Sequence, residues 1–362
     1  MRRTFGARRA LACTAAVGAV AAATVLPVQF AAAAETGAEA QQSCVMATLP
    51  IPEGYQSTRV TGMSNNGSVI AYVAESPGAD GPGPQQFLYA DGDVTEVPML
   101  NEYATIQDVN AAGVGVGWSF ISPDYVPFVW RDGELSELPS EEGGSAYAIN
   151  AKGDIVGSRD HEGSTVPVVW PADGSGPVDL ALPAGNEWGI ATGIGNDGTI
   201  VGHVKVERDN SGPAKPYVWR TDGTGDYLPM PAGVDPASAS GEVTDIKGDW
   251  ASGWLSAPGV GYGGVRWNLA TGTAQVVKLG DWVAVSDKGT TASHVRGGSS
   301  AAYQTGKTVV KLPGLLAPAE NTYRDNVVAI SSSGKLLAGD VFTGVYDADE
   351  QPLTNAVTWT CA

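Results

Sequence analysis

Histidine, cysteine and positive charge are all scarce in this chain. Its 362 residues hold three His and three Cys, and 21 Lys and Arg stand against 39 Asp and Glu. The acid excess argues against a nucleic-acid-binding surface, because phosphate would be repelled. The three histidines, His161, His203 and His294, show no i, i+4 spacing, so no zinc-binding helix is encoded. His203 and His294 take matched places in two repeats with another repeat between them, which argues against a shared metal. There is no Gly-x-Ser-x-Gly elbow and no phosphate-binding loop. Beyond residue 34 no apolar run reaches the roughly eighteen residues of a membrane-spanning helix. Nor does any stretch there keep a helical period across three turns.

What the chain has instead is glycine, 48 of them, in a repeat of 40 to 50 residues. Periods of this length mark propellers and solenoids. The third copy is clearest: Ala148-Ile149-Asn150-Ala151-Lys152-Gly153-Asp154-Ile155-Val156-Gly157, then Val168-Val169-Trp170, then Leu182-Pro183. Anchored on the first turn glycine, the copies fall at Gly67, Gly113, Gly153, Gly198, Gly248, Gly289 and Gly334. Three residues earlier stand Ser64, Asn110, Asn150, Gly195, Asp245, Ser286 and Ser331, a column suited to tight hairpins. Downstream runs an aromatic column of Tyr89, Trp130, Trp170, Trp219, Trp267, Tyr303 and Trp359, read as packing between neighbouring sheets. Asp-Gly pairs such as Asp132-Gly133 mark a second hairpin. Each copy thus reads as four strands, A to D, and the expected fold is all-β.

The closing Leu-Pro column has six members, one in each of the first six copies, and the seventh copy ends just after its strand C. The missing strand D lies at the other end, as 44–50. A ring that finishes its last blade with its first strand has no free edge. The expectation is one seven-bladed β-propeller over residues 44–362. Cys44 and Cys361 fall at the two turn positions that the chain break removes, so a disulfide between them would replace the missing hairpin.

Residues 1–34 read as a signal peptide: Arg2, Arg3, Arg8 and Arg9, an apolar run to Phe30, and Ala32-Ala33-Ala34 for cleavage. Residues 35–43 read as a flexible leader. Loss of four arginines and no acid would take the formal charge from −18 to −22. The expected product is secreted, extracellular and monomeric, without nucleic acid or membrane span.

The run Ala-Ile-Asn-x-x-Gly-x-Ile-Val-Gly followed by x-x-Val-Trp resembles the HAF repeats of bacterial extracellular proteins. The resemblance covers nearly all of residues 44–361 and is best in copies two to four. The family's His-Ala-Phe triplet is replaced here by Val126-Pro127-Phe128, Val166-Pro167-Val168 and Lys215-Pro216-Tyr217. What it implies is a secreted, propeller-like repeat protein, with no activity to carry over.

The B–C and D–A connections vary most in sequence and would share one face, where function concentrates. D–A segments carry Tyr55, Tyr103, Tyr147, Trp188, Trp282 and Tyr323, accompanied by acids such as Glu102 and Glu187. Aromatics beside carboxylates suit stacking on sugar rings or anchoring a protein partner; the same rings would also serve to seal blade ends. Asp347, Asp349 and Glu350 in the seventh copy are candidates for calcium, the one cofactor considered. The reading is a non-enzymatic binder of an extracellular glycan or protein. The alternatives are a polysaccharide-acting glycosidase or lyase using loop carboxylates, and a structural scaffold.

Overall fold

The computed structural model describes residues 43–76 and 83–362; the signal peptide and nearly all of the leader lie outside them. The described chain is all-β, in seven four-stranded antiparallel sheets arranged as propeller blades. Blade 1 is typical, with strands A to D at Ser57–Met63, Val69–Glu75, Gln85–Ala90 and Asp93–Val97. Blade 7 takes Asn326–Ile330, Leu336–Tyr346 and Pro352–Cys361 as A to C, and Cys44–Thr48 as D.

The ring closure follows the sequence reading. Cys44 pairs with Cys361 and Met46 with Trp359 in the strand register. In blade 2 the equivalent register pairs Trp130 with Leu135 and leaves Asp132-Gly133 as the turn. The disulfide Cys44–Cys361, with Cα atoms 4.1 Å apart, therefore occupies those two turn positions. Leu49, just beyond strand D, is buried with Val60 and Tyr72 of blade 1 and Ala338 and Ala356 of blade 7.

Seven apolar clusters fill the seven contacts between neighbouring blades. The tryptophan column does more than fill space. Trp170, Trp267 and Trp359 donate their indole N–H to the carbonyls of Pro139, Pro229 and Pro313, at 2.9, 2.9 and 2.8 Å. Each accepting proline is the Leu-Pro of the preceding blade. The two sequence columns are thus the two halves of one inter-blade hydrogen bond, which satisfies the buried indole nitrogen.

A bulge in strand A is the feature that shapes the interior. The register slips at Thr61, Gln107, Tyr147, Thr192, Thr244 and Val328, and Val283 holds the matching place in blade 6. Opposite the bulge, strand B carries glycine in five blades. At Gly157 a Cβ would run into the backbone carbonyl of Ser145, so only glycine lets the two strands approach. This accounts for the final glycine of Ile-Val-Gly. The seven bulge-column residues all line the central channel.

Two readings change. In blade 5 Lys247 pairs with Trp250 across a two-residue turn, so Lys247, not Asp245, belongs to the turn column. Asp245 lies two residues back in strand A, facing the channel. The B–C connections are also shorter than expected in blades 2 and 3, where Ile121 pairs with Asp124 and His161 with Ser164. Strands B and C run on to a two-residue turn there, because β-formers such as Phe120 and Tyr125 extend the ladder.

Candidate functional site

The D–A and B–C connections do share one face. There the channel opens into a funnel of about 1270 Å³, and beyond the bulge ring a chamber of about 120 Å³ remains at the narrow end. The bulge turns two successive residues of each strand A toward this axis. The result is a band of hydroxyl and amide groups from Thr61, Gln107, Tyr147, Thr192 and Thr244. At the narrow end the second of the two residues is small in five blades and aspartate in two. Asp108 accepts the Ile149 N–H of the next blade at 3.0 Å, and Asp245 accepts that of Val285 at 2.9 Å and binds Lys247 Nζ at 3.0 Å. These carboxylates lock blades together. Burial pushes Asp108 up to about 7.

Of the six candidate aromatics, the funnel wall brings together Tyr147, Trp188 and Trp282. They differ sharply in what they offer. Trp188 is buried between Lys205 Nζ, 5.2 Å from its ring, and the His203 ring at 5.5 Å, so its faces are already covered. Tyr147 is half-buried in the bulge ring. Trp282 is 59% exposed. Tyr55 packs edge-on against Phe87, while Tyr103 and Tyr323 are exposed outside the funnel, Tyr323 against Phe342. Glu102 is exposed beside Tyr103, and Glu187 is exposed and paired with Arg208 at 3.4 Å.

Trp282 owes its exposure to its backbone. In the other six blades the residue before the bulge position is buried: Val60, Ile106, Ala146, Ala191, Val243 and Val327. At this position Trp282 takes a left-handed φ of 51°, which turns its ring into the funnel. A bulky residue in that region is an outlier that the surroundings must hold in place. Asp281 before it accepts the Tyr262 hydroxyl at 3.2 Å and lies 3.7 Å from His294 Nε2 and 3.8 Å from Arg324. Gly280 stands where the Leu-Pro column has proline in other blades, against His294. A Cβ there would land on the His294 imidazole.

The sequence reading weighed His203 only against a shared metal site, and the structure makes it a wall residue. It is buried, its Nδ1 has no partner, and its Nε2 stands 3.7 Å from Glu242 Oε1 in the next blade. Burial pushes its pKa down to about 3, so the ring is neutral, and burial raises that of Glu242. Trp254 donates to the other oxygen, Oε2, at 3.2 Å. The signal that was available was the matched column of His203 and His294, now explained by two carboxylates, Glu242 and Asp281, at strand A positions facing them. Trp118 and Tyr125, packed edge to face at 5.2 Å, also line the funnel and were not among the candidates.

The acidic segment of blade 7 lies in the B–C loop, residues 347–351, at the tip of an extended hairpin. Asp347 Oδ1 caps it by accepting the N–H groups of Asp349 and Gln351 at 2.9 and 2.7 Å. Among the described residues no three His, Cys, Asp or Glu side chains gather as a metal-holding group, and no helix is long and apolar enough to cross a membrane.

The chain matches no protein-family model, and no curated protein matches its sequence. The HAF-repeat resemblance therefore rests on the repeat residues themselves. Solved structures with the same architecture include a catalytically inactive virginiamycin B lyase from Staphylococcus aureus with quinupristin. It is 14% identical, with a TM-score of 0.52 over 88% of this chain and 99% of that one. An oligogalacturonate lyase from Vibrio parahaemolyticus is 7% identical, with a TM-score of 0.52 over 88% and 97%. At such identities the likeness is one of fold: the chain is a seven-bladed β-propeller closed by its own first strand.

Proposed function

We propose that this is a secreted propeller that binds an extracellular ligand, glycan or protein, through the face carrying the D–A and B–C connections, without turning it over. One observation carries the reading. Among the described residues, twelve of the seventeen exposed large hydrophobic side chains lie on that face, including Tyr103, Tyr125, Tyr262, Trp282, Tyr323 and Tyr346. The other five, Val45, Val94, Val178, Tyr227 and Val276, lie on the outer strands D. Among the described residues the opposite face, built from A–B and C–D turns, has none. Exposed apolar side chains concentrated on one side of a stable scaffold mark an interaction surface.

Secretion is part of the proposal and fits the disulfide, which needs an oxidising compartment. A glycan array combined with a polysaccharide-release assay on the purified mature chain tests the whole reading. Binding without release is expected. Release of products from any polysaccharide would replace the binder with the glycosidase or lyase alternative, for which Glu242 beside His203 would be the first carboxylate to substitute.

A further inference from the structure

Resting on that reading, we infer a second ligand for the same face, beside the glycan that the array tests: a basic polypeptide segment with apolar side chains, docked on the connections of blade 2. Four exposed apolar side chains gather there, Leu100, Tyr103, Ile121 and Tyr125. Hydrogen bonds hold them in one place. Asn101 Nδ2 donates to the Phe120 carbonyl at 3.0 Å, and Asn101 Oδ1 accepts from the Ser119 hydroxyl at 2.8 Å and the Tyr103 N–H at 2.9 Å. Residues 100–103 are thereby fastened to the end of strand B, Gly115–Ile121. Across the hairpin the Phe120 and Tyr125 rings lie 5.2 Å apart. The patch is therefore set before a partner arrives, and docking has little left to order.

Carboxylates rim the patch. Glu102 sits in the fastened segment and Asp124 faces Ile121 across the hairpin turn, both exposed. A Cβ on Gly143 would lie 3.1 Å from the Tyr125 carbonyl oxygen and 3.4 Å from both Asp124 Cβ and Asp160 Oδ2, which brings Asp160, with Glu142 next to Gly143, to the Tyr125 side. Among the described residues of blades 1 to 3, the cations on this face are Arg59 and Arg159. Each already pairs, with Glu75 at 2.8 Å and with Asp179 at 2.6 Å. The cluster around Tyr323 on blade 7 lacks such a uniform rim, because half-exposed Arg324 adjoins it. Apolar anchors inside a rim of one charge sign fit a partner with apolar groups and the opposite charge. Leu100 and Ile121 decide the class. Branched aliphatic side chains offer no flat ring on which a sugar could lie, and they pack on the apolar side chains of a polypeptide. An anionic lipid surface would be repelled.

The test is titration calorimetry of the mature chain with three synthetic peptides of equal length, built of lysine and leucine, of lysine and serine, and of glutamate and leucine, at low and high salt. The lysine–leucine peptide should bind at least tenfold more tightly than either of the others and lose affinity as salt rises. Leu100→Ser and Ile121→Ser should each weaken it at least fivefold, and the pair Glu102→Gln and Asp124→Asn should flatten the salt dependence. All four side chains are exposed, so the variants should fold, which an unchanged circular dichroism spectrum checks. Equal binding of the lysine–serine peptide would reduce the contact to bulk charge and overturn the inference. Undiminished binding by Leu100→Ser and Ile121→Ser would overturn it too, by placing the peptide elsewhere. No peptide binding alongside glycans captured on the array would overturn this inference and leave the loop-face reading standing; no binding of either would fail both.

Discussion

Removing the staple between Cys44 and Cys361 should cost the ring a large, locally readable share of its stability. The bridge closes a separation of 317 residues, the span from the outer strand of blade 7 to its own neighbour. In the chain-entropy account such a closure contributes about 5 kcal/mol, the top of the usual range. Unfolding entropy near 2.1 cal/mol/K per residue amounts to about 0.7 kcal/mol/K for roughly 320 residues. The double substitution Cys44→Ser and Cys361→Ser should therefore lower the melting temperature by about 7 °C. The loss should also have an address. Strand Cys44–Thr48 is held otherwise by its ladder on 357–361 and by buried Leu49, so it should fray first. Calorimetry gives the shift, and hydrogen exchange read by mass spectrometry gives the place. A shift below about 2 °C, or protection lost first in another blade, would refute the reasoning.

Trp359→Phe should destabilise by about 2–3 kcal/mol in thermal melts, since it leaves a cavity and strands the Pro313 carbonyl. Gly280→Ala should cost about 1–3 kcal/mol by driving the new methyl against His294, and should cost less in a His294→Ala background, as a double-mutant cycle would read. Stability should rise on acidification from pH 8 to 6.5. Asp108 and Asp340, the latter in strand B of blade 7 accepting the Val60 N–H at 2.6 Å, are half-buried and pushed up to about 7 by desolvation; they stabilise the fold while protonated, and this contribution drains as pH rises from 3.8 through about 7. Glu242 and Asp325, also raised by burial, act in the same sense. His203, lowered to about 3, opposes them only below its unfolded value of 6.5, as does His294, so the melting curve should flatten there. Asp108→Asn should shrink the rise between pH 8 and 6.5; an unchanged slope would remove Asp108 from the explanation.

The architecture was legible because a propeller writes each structural need into every copy. The tryptophan, the Leu-Pro and the Ile-Val-Gly columns could be counted, and the two cysteines could be placed by their offsets from Trp359 and Leu49. The fifth copy misled because its turn is two residues shorter in effect, which moved Asp245 out of the column where spacing alone would put it. The site was legible only by face. Trp188 and Trp282 look alike in sequence, yet one is covered by Lys205 and His203 while the other is turned outward by a left-handed backbone. Side-chain direction at a bulge depends on register, and neighbours such as His203 and Glu242 come from different blades. Neither relation has a one-dimensional signature.

The most direct measurement of the central claim compares the two faces on one glycan array. Wild type, a loop-face set (Tyr103→Ala, Trp282→Ala and Tyr323→Ala) and an opposite-face pair (Lys152→Ala in the A–B turn of blade 3 and Lys307→Ala in the C–D turn of blade 6) would be probed side by side. The account predicts glycan binding by wild type and by the opposite-face pair, and stepwise loss across the loop-face set. Retained binding in the loop-face set together with loss in the opposite-face pair would contradict it.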